Sequence, residues 1–587
     1  MNLKRIFLRF SLKAQKHTIR LKNLELKDFH EFYIFASRKL YRVVHLRNLV
    51  IFCIVFMVVV TLMFVSSFTK LTAYYKKDKP ISGGVYTEGL LGKFLRINPL
   101  YSQTNQDDED AASLIFSGLM KEGPNRSITE DMASRWTLSA DQKTYSFDLK
   151  KDIKWQDGVD FSADDILFTI ELIQNPDVRS PLYEAWKGVE ASKTEKGVQF
   201  TLKEPDSSFL ENATLKILPK HILGKIPAKD IQTVDFNIKP VGTGPFAFKS
   251  LDKGQDHQTL TLIRSDNFYG QRPYVDGIRF ETYLSEKEMV DAFNRRNIMG
   301  IGNPSLQEVD TMKKRNADIY EYNIPRYVAA FFNTQSQFLK DRELRQALSL
   351  AVDKKDVMQQ AIEGKGLVQN YPITSGFVAE SSDLPKTQTN VNQAKDTLQK
   401  AGYTLKGNQL QKDGKDVSLK IVTADSEELS KTADVIANDF KKIGIKVDVQ
   451  KVNMVSFQQE YLRPRSYDVA ILGEDLGNYP DLFSFWHSSQ VNDPGLNFSE
   501  FKDQKMDKFL ELARVASSDT ERQDRLNEIQ KIILEQVPAV YLYDPFYYFV
   551  TSPKIKGIAR GKIVSPEDRF WNVSDWYIKA DKIMIDN

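Results

Sequence analysis

The amino-acid sequence predicts an α/β fold that follows a single membrane-spanning helix. A long apolar run lies near the N-terminus, at residues 49–68, and strongly basic residues precede it. Beyond residue 82, apolar strand patterns alternate with capped, amphipathic helix patterns. The ordinary composition, 41% hydrophobic and 27% charged, excludes collagen-like, low-complexity and wholly disordered chains. With 587 residues the chain is long enough for several domains.

The apolar run has the length of a membrane span. Residues 49–68 are apolar apart from Thr61, Ser66 and Ser67, and as a helix they would cover roughly 30 Å, the thickness of a bilayer's hydrocarbon layer. Residues 1–48 contain twelve Lys or Arg against three acidic residues, a balance of +9, which favours a cytoplasmic location. We therefore expect a single-pass anchor in the cell membrane, with the main domain extracytoplasmic, in the periplasm or at the cell surface.

A cleaved signal peptide is the alternative, with residues 65–67 as the cleavage site. A 48-residue leader and a twenty-residue apolar run exceed the usual signal-peptide dimensions, which favours the anchor. Residues 1–47 would form either an amphipathic helix on the membrane surface or a solvated basic tail. Residues 69–81 are typical of a polar tether. The only cysteine, Cys53, lies inside the span, so the exported part forms no intrachain disulfide.

The exported part shows alternating strand and helix patterns. Strands are predicted near residues 83–88 and 144–149, and Ser162 with Asp165 forms the capping box of a helix. Gly444 ends one predicted helix directly before a strand, a connection typical of α/β domains. Helices are predicted at 341–361, 391–401, 426–443, 504–516 and 519–535, and strands at 417–423, 445–452 and 467–472.

Signatures of catalysis are missing from the exported part. His221, His257 and His487 are too far apart in sequence for a local metal pair, and no Gly-x-Ser-x-Gly motif occurs. Residues 241–246 are glycine-rich but lack the lysine of a phosphate-binding loop. Since the whole chain carries +3, the part beyond the span carries −6 and offers no overall electrostatic case for binding nucleic acid. We expect no enzyme activity, no cofactor, no metal site and no nucleic-acid partner.

Several segments, in one order, resemble a known family. The first are GGV at 83–85 and INPL at 97–100, and the most specific region includes WTLSAD at 136–141, IKWQDG at 153–158 and FSADDI at 161–166. The later segments are PVGTGPF at 240–246, NFY at 267–269, PYVD at 273–276, FNT at 332–334, LRQAL at 344–348, AVDK at 351–354, AGY at 401–403, IGIKV at 443–447 and YDVA at 467–470. The chain resembles the extracellular solute-binding proteins of family 5, which serve peptide and nickel ABC importers and include dipeptide- and oligopeptide-binding proteins.

The resemblance implies a two-lobed fold of the type II periplasmic-binding-protein kind. Lobe one would comprise residues 82–325 and 546–587, with an extra subdomain at about 105–235. Lobe two would comprise residues 326–545. Closure of such lobes is a hinge motion that buries the ligand in the cleft between them.

The resemblance also indicates ligand-contacting residues. Asp475 is the best match to an aspartate that pairs with the α-ammonium group of a peptide. Its neighbour Glu474, which stands where many relatives carry tryptophan, is a second candidate in the same loop. Asn333 would bind the ligand backbone at the lobe junction or stabilise a turn. The remaining candidates are the strand segment Glu88, Gly89 and Leu90, the pocket-wall aromatics Tyr479 and Trp486, and the loop carboxylate Asp481.

The expected function is a membrane-anchored receptor that captures a peptide and delivers it to the permease of an ABC importer. A monomer is expected by analogy with relatives. The alternatives are a different solute in the same fold, such as a nickel chelate or a glycoside, and a ligand-sensing adaptor that signals through its anchor. A membrane-anchored hydrolase is the third class, and the missing nucleophile signatures argue against it.

Overall fold

The computed structural model describes residues 26–74, 76–206, 208–254, 256–374, 384, 387–477, 481–516 and 518–584. The helices are α1 (Leu26–Tyr74), α2 (Gln106–Ile115), α3 (Ala163–Gln174), α4 (Tyr183–Trp186), α5 (Phe209–Asn212), α6 (Lys220–Leu223), α7 (Glu286–Asn294), α8 (Leu306–Lys314), α9 (Arg342–Ala351), α10 (Lys354–Ile362), α11 (Val391–Lys400), α12 (Glu427–Lys442), α13 (Met454–Ser456), α14 (Phe483–Trp486), α15 (Gln504–Arg514) and α16 (Asp519–Gln536).

The strands complete the mixed α/β pattern. They are β1 (Lys76–Ile81), β2 (Val85–Leu90), β3 (Met120–Glu122), β4 (Ile128–Glu130), β5 (Ala133–Leu138), β6 (Thr144–Leu149), β7 (Glu190–Lys193), β8 (Gly197–Thr201), β9 (Phe246–Lys253), β10 (Gln258–Arg264), β11 (Gly277–Thr282), β12 (Gly300–Gly302), β13 (Asp318–Asn323), β14 (Arg326–Phe332), β15 (Gly366–Val368), β16 (Thr404–Lys406), β17 (Gln409–Lys412), β18 (Lys415–Asp416), β19 (Ser418–Ala424), β20 (Lys446–Val452), β21 (Val469–Asp475), β22 (Ala539–Thr551) and β23 (Lys579–Met584).

The chain forms two compact units, residues 1–79 with 580–587 and residues 80–579. The first unit contains α1, which includes the predicted span, and the pairing of β1 with β23. Within the described residues, the stretch Glu31–Ser66 is long and apolar enough to cross a membrane, although a signal sequence meets the same criterion. Because α1 continues to Tyr74 and β1 begins at Lys76, most of the predicted tether has regular secondary structure.

The second unit is built around one large mixed sheet. Its main path runs β20-β19-β21-β14-β22-β12-β2-β11-β10-β9, and β13 and β15 also pair with β22. A separate four-stranded sheet, β5-β6-β8-β7, lies within residues 133–201. The long strand β22 connects two regions of the main sheet, since its first half pairs with β14 and its second half with β13.

Two large hydrophobic cores stabilise this unit. One draws its buried residues from 327–543, and the other from 86–324 and 547–576. The chain crosses from one core to the other within Ile324–Arg326 and crosses back within Asp544–Phe546. The middle residue of each crossover is a proline, Pro325 and Pro545. The predicted lobe boundaries, at 325/326 and 545/546, stay a proposal that this division of the core supports.

Local capping explains most helix boundaries in the second unit. Ser162 and Asp165 form the predicted capping box at the start of α3. The predicted helix 341–361 is instead two helices, α9 and α10, because Asp353 lies between them in an extended conformation and accepts hydrogen bonds from two amides of α10. Gly444 adopts φ +87 before β20, as a left-handed helix terminus requires.

A candidate ligand-binding cleft

A cavity of about 620 Å³ in the second unit lies beside the first chain crossover, where Ile324 and Arg326 line it. Its walls come from α2, the β3–β4 hairpin, residues 211–216, the turn 564–574 and the neighbouring ends of β14 and β21. It combines carboxylates with aromatic faces such as Phe268 and Trp571. A volume of this size is typical of a site for a small organic ligand.

Asp475 and Arg326 lie on one side of this cavity, at the ends of neighbouring strands. Asp475 is the last residue of β21 and is opposite Arg326, the first residue of β14, in the antiparallel register. Arg326 Nε is 3.8 Å from Asp475 Oδ1, and the Asp475 side chain is 76% exposed. The predicted residue Asp475 therefore presents a solvated carboxylate to the cavity.

Glu474 points away from the cavity, as expected for neighbouring residues of one strand. It is buried, and one carboxylate oxygen accepts a hydrogen bond from the Tyr327 hydroxyl. Among the described residues no donor lies within hydrogen-bonding distance of its second oxygen, Oε1. Burial raises the pKa of Glu474 to about 8, and the nearby charge of Asp475 acts in the same direction. Glu474 lies inside the protein core and not on the cleft wall.

The segment Glu88, Gly89 and Leu90 is central in the sheet. β2 pairs along its whole length with β11, and Glu88 and Gly89 also pair with β12. A Cβ atom at Gly89 would lie 2.6 Å from an Ile298 side-chain atom and 2.8 Å from one of Met289, so this glycine permits close packing. Neither Glu88, Gly89 nor Leu90 lines the cavity, and strand addition at Glu88 and Gly89 would require displacing β11 or β12.

The buried Glu88 carboxylate binds Arg569 instead. Arg569 Nη2 is 2.6 Å from Glu88 Oε1, and Arg569 Nη1 donates to Asp110 Oδ1 at 2.8 Å. Tyr86 completes the cluster by donating its hydroxyl to Glu88 Oε2 at 2.7 Å. Arg569 belongs to the turn Pro566–Phe570, so Glu88 helps to position a segment that lines the cavity.

Of the four remaining predicted residues, three lie outside the cavity lining. Asn333 is buried in a turn, where its Oδ1 accepts from the Gln335 amide at 2.9 Å. Trp486 is 1% exposed and packs near Phe331, with ring centroids 6.2 Å apart. Asp481 accepts a hydrogen bond from Arg514 Nε at 3.0 Å. The fourth residue, Tyr479, lies outside the described residues.

Sequence patterns did not identify most of the charged cavity wall. Lys216 Nζ lies 2.6 Å from Glu109 Oε1, a pair that joins residues 107 positions apart in sequence. Burial opposes ionisation of Glu109, but Lys216 and Ser102 together lower its pKa. The adjacent acids Glu567 and Asp568 resemble an ordinary helix cap in sequence, and only the tertiary structure brings them to this wall.

Three further carboxyl groups of this wall, those of Glu122, Glu211 and Glu567, have raised pKa values. Burial, together with the charges of Asp568 and Glu211, raises the pKa of Glu122 to about 9. Burial likewise raises the pKa of Glu211 to about 8, against the influence of Arg522, and that of Glu567 to about 7. Throughout the described ranges, no group of three or more His, Cys, Asp or Glu side chains is arranged to hold a metal ion.

Comparisons with known proteins place the chain among binding proteins. Residues 127–495 match the family model described as Bacterial extracellular solute-binding proteins, family 5 Middle. The chain is 29% identical over 512 residues to the oligopeptide-binding protein AppA of Bacillus subtilis (strain 168). This alignment covers 85% of this chain and 92% of AppA.

Two solved structures share the fold. The structure of AppA from Bacillus subtilis in complex with a nonapeptide has a TM-score of 0.71 at 27% identity and covers 85% of this chain and 100% of AppA. The structure of NikZ from Campylobacter jejuni in complex with Ni(L-His) has a TM-score of 0.72 at 27% identity and covers 84% of this chain and 99% of NikZ. These likenesses confirm the predicted two-lobed α/β fold.

Proposed function

The chain belongs to family 5 of the bacterial extracellular solute-binding proteins, and on this premise we propose that it captures a peptide between its lobes and delivers it to an ABC import permease. The observation that carries the proposal is the cavity of about 620 Å³ beside the first crossover, with the exposed carboxylate of Asp475 on its wall. We assign no enzyme activity to the chain. The relative AppA, which is described as an oligopeptide-binding protein, supports a peptide as the ligand.

Asp475 is the proposed contact for the peptide's α-ammonium group. Its carboxylate ends β21 at the cavity and is only loosely paired with Arg326, at 3.8 Å. An exposed ion pair contributes little free energy, so an incoming ammonium group can replace Arg326 at small cost. The carboxylate would then make a charge-assisted hydrogen bond, which is stronger than one between neutral groups.

The N-terminal helix is proposed to anchor the receptor in the membrane. Helix α1 contains a stretch of sufficient length and apolar character, Glu31–Ser66. An anchor keeps the receptor close to a membrane-embedded permease and raises its effective concentration there. A C-terminal epitope tag would report this: the tagged protein should stay in the membrane fraction at full length, whereas a soluble, shortened product would establish signal cleavage.

Binding is tested with the full-length protein in detergent. Mass spectrometry of co-purifying molecules should identify peptides, and thermal unfolding of ligand-stripped protein should shift upward with added peptide. A ligand at about 100 times its Kd adds roughly 2.7 kcal/mol. No stabilisation by any peptide, and no bound peptide after purification, would contradict the proposal.

The ammonium contact has its own control. Asp475→Asn should weaken binding of a free peptide about tenfold, since hydrogen bonds to charged groups are worth about 1.5–3 kcal/mol. It should change binding of the N-acetylated peptide by less than about twofold. The matched exposed variant Asp448→Asn, on β20, should leave both affinities unchanged. Equal losses for free and acetylated peptide would remove Asp475 from the ammonium site and leave the receptor function standing.

A nickel chelate is the second candidate ligand. The likeness to NikZ, solved in complex with Ni(L-His), favours testing it. Ni²⁺ with L-histidine in the same unfolding assay should give no shift if a peptide is the ligand. A shift with Ni²⁺ and histidine, without a shift for any peptide, would replace the proposed ligand and retain the family.

A further inference from the structure

Arg326 and Asp475 form an ion pair on the cavity wall, and the sheet fixes the position of both residues. They are Cα partners in the antiparallel pairing of β14 with β21. The Leu476 amide donates to the Pro325 carbonyl at 2.8 Å, so the backbone pairing continues beyond them. Both side chains therefore leave from paired backbone, and both line the cavity.

The guanidinium group of Arg326 lies against Gly473, which precedes Asp475 by two residues and is on the same face of β21. A Cβ atom at Gly473 would lie 3.0 Å from Arg326 Nε and 3.1 Å from Arg326 Nη2. Both separations are shorter than an ordinary van der Waals contact, so the glycine leaves room for the guanidinium group. Local packing at the strand ends therefore holds Arg326 beside Asp475.

The protein itself does not satisfy the donors of Arg326. The Nε atom is buried, and no acceptor lies within hydrogen-bonding distance of it in the part of the chain that the structure describes. The separation of 3.8 Å from Asp475 Oδ1 is longer than a hydrogen bond. A buried donor without a partner costs free energy. Because the side chain is 40% exposed on the cavity, the guanidinium group can turn toward an acceptor on a ligand and recover this free energy.

The pair has the hydrogen-bonding pattern that the first residue of a peptide requires. The carboxylate of Asp475 only accepts hydrogen bonds, and the guanidinium group of Arg326 only donates them. The first residue of a peptide carries an α-ammonium group that donates and, close to it, a carbonyl oxygen that accepts. When the ammonium group replaces Arg326 at Asp475, as proposed above, the guanidinium group loses its partner beside that carbonyl. A charge-assisted hydrogen bond to the carbonyl oxygen would replace the lost ion pair.

The C-terminal carboxylate of the peptide is the rival acceptor. Each residue of an extended chain adds about 3.3–3.6 Å, so the carboxylate of a tripeptide lies about 10 Å from its ammonium group. Arg326 Nε lies 3.8 Å from Asp475 Oδ1, a spacing that suits the first carbonyl and not the far end of such a ligand. The geometry favours the first carbonyl, and the experiment includes the carboxylate.

We infer that Arg326 is a second ligand contact of the cleft and donates a hydrogen bond to the first carbonyl oxygen of the bound peptide. Together with Asp475, it would recognise a free N-terminus as an ammonium group and a carbonyl in adjacent positions. The inference rests on the proposed peptide-binding function and on the proposed ammonium contact of Asp475.

A thermodynamic cycle on the full-length protein in detergent tests this contact. Calorimetry would give the Kd of an alanine tetrapeptide and of two analogues, with a thioamide at the first or at the third peptide bond. Because sulfur is a weaker acceptor than oxygen, the first-bond analogue should bind the natural protein about five- to tenfold more weakly than the tetrapeptide. In Arg326→Met, which has no donor, this ratio should fall below about twofold. Any loss caused by the third-bond thioamide should be the same in both proteins.

Arg135→Met supplies the matched control. Arg135 is also an exposed, ion-paired arginine, 3.0 Å from Asp148, and it lies outside the cavity lining. Its replacement should leave every ratio unchanged. Arg326→Gln is a second variant, which should also lower the first-bond ratio because its amide is shorter and uncharged. Thermal unfolding would establish that each variant is folded.

The outcomes separate the inference from the proposed function. The same first-bond ratio in the natural protein and in Arg326→Met would overturn the inference and leave the peptide receptor and its Asp475 contact standing. A C-terminally amidated tetrapeptide tests the rival acceptor. If the two proteins bind it equally but differ for the free acid, Arg326 binds the carboxylate and the inference is overturned. Binding of no peptide would overturn both the inference and the proposed function.

Discussion

Arg569 lies buried between the carboxylates of Glu88 and Asp110, and the turn that carries it also carries Glu567 and Asp568 of the cleft. The guanidinium group is 4.1 Å from the centre of the Phe570 ring, which adds a cation–π contact. The planar, always charged guanidinium can satisfy both carboxylates at once. This cluster therefore connects the centre of the sheet to the cavity wall.

Replacing Arg569 by methionine should destabilise the fold strongly. Removal of one partner from a buried charge cluster costs about 3–5 kcal/mol, because the remaining charges stay buried without compensation. The loss in unfolding free energy should be largest near pH 7 and smaller near pH 4, because burial raises the pKa of Glu88 and protonation then neutralises this buried partner of the missing cation. Urea unfolding measures both values. The exposed variant Arg135→Met should cost less than about 1 kcal/mol, and an equal cost for both variants would contradict the argument.

Glu474→Gln should stabilise the protein at neutral pH. The folded-state pKa of Glu474 is raised from 4.5 to about 8, so ionisation favours the unfolded chain between these values. Below about pH 4.5 both states are protonated and the variant gains nothing. The gain should grow as pH rises, reach about 3 kcal/mol at pH 7 and become constant above about pH 8. Unfolding measured from pH 4 to 9 tests this, and a variant less stable than the natural protein at pH 7 would contradict it.

Single residues show where sequence reasoning reaches its limit. The family resemblance predicts Asp475 as a ligand contact, and the structure places it on the cavity. Its neighbour Glu474 faces the core, because successive side chains of a strand point to opposite faces of the sheet. The sequence does not reveal which of the two faces borders the cleft. Glu88 is predicted as a ligand contact through its backbone position. Its side chain instead binds Arg569, which lies 481 residues away in sequence. The roles of these residues in ligand binding stay predictions.

At the scale of elements, the turn 241–246 depends on close backbone contact with α2. The Gly242 amide donates to Gln156 Oε1 at 2.9 Å, and the Gly244 amide donates to the Ile115 carbonyl at 2.8 Å. A Cβ atom at Gly242 would lie 2.0 Å from the Ile115 carbonyl oxygen, a clash that a flexible side chain cannot relieve. The glycines of this motif therefore have a packing role at the C-terminal end of α2.

Gly242→Ala should consequently destabilise the fold by about 1–3 kcal/mol or more, because backbone must move to admit the methyl group. The control is Gly561→Ala, where the nearest atom to the added Cβ is 3.7 Å away. Its effect should be near zero or slightly stabilising. Chemical unfolding of both variants gives the comparison, and similar values for the two would show that the turn relaxes without cost.

Most elements with local signals could be predicted. The capping box of α3 and the left-handed glycine before β20 are determined by residues a few positions apart in sequence, so local patterns predict them. The break between α9 and α10 was missed, since apolar periodicity continues across it and the cap at Asp353 is a short polar signal. The turn Pro566–Phe570 could not be placed at the cleft, because its position depends on long-range contacts with Glu88 and Asp110.

At the scale of the whole second unit, two short connections join the two large hydrophobic cores, which correspond to the proposed lobes. The first, Ile324 and Pro325, links β13 to β14, and the second lies within β22 at Pro545. The cavity lies beside the first connection, and a small crevice is lined by residues of both proposed lobes, with Asp206 on one side and Arg522 on the other. Rotation about the two connections would change the separation across that crevice, as in hinge closure.

Peptide binding should therefore bring the lobes together at this crevice. Cys53 is the only cysteine, so Cys53→Ser leaves a background for spin labels at Glu204→Cys and Asp524→Cys, two exposed positions near the crevice on opposite lobes. Added peptide should shorten and narrow the distance distribution between the labels, because ligand contacts on both lobes favour the closed state. A second pair, Lys196→Cys with Glu204→Cys, lies within one lobe and should not change. If peptide stabilises the protein in the unfolding assay and the distribution across the cleft stays the same, binding requires no closure and the two connections do not act as a hinge.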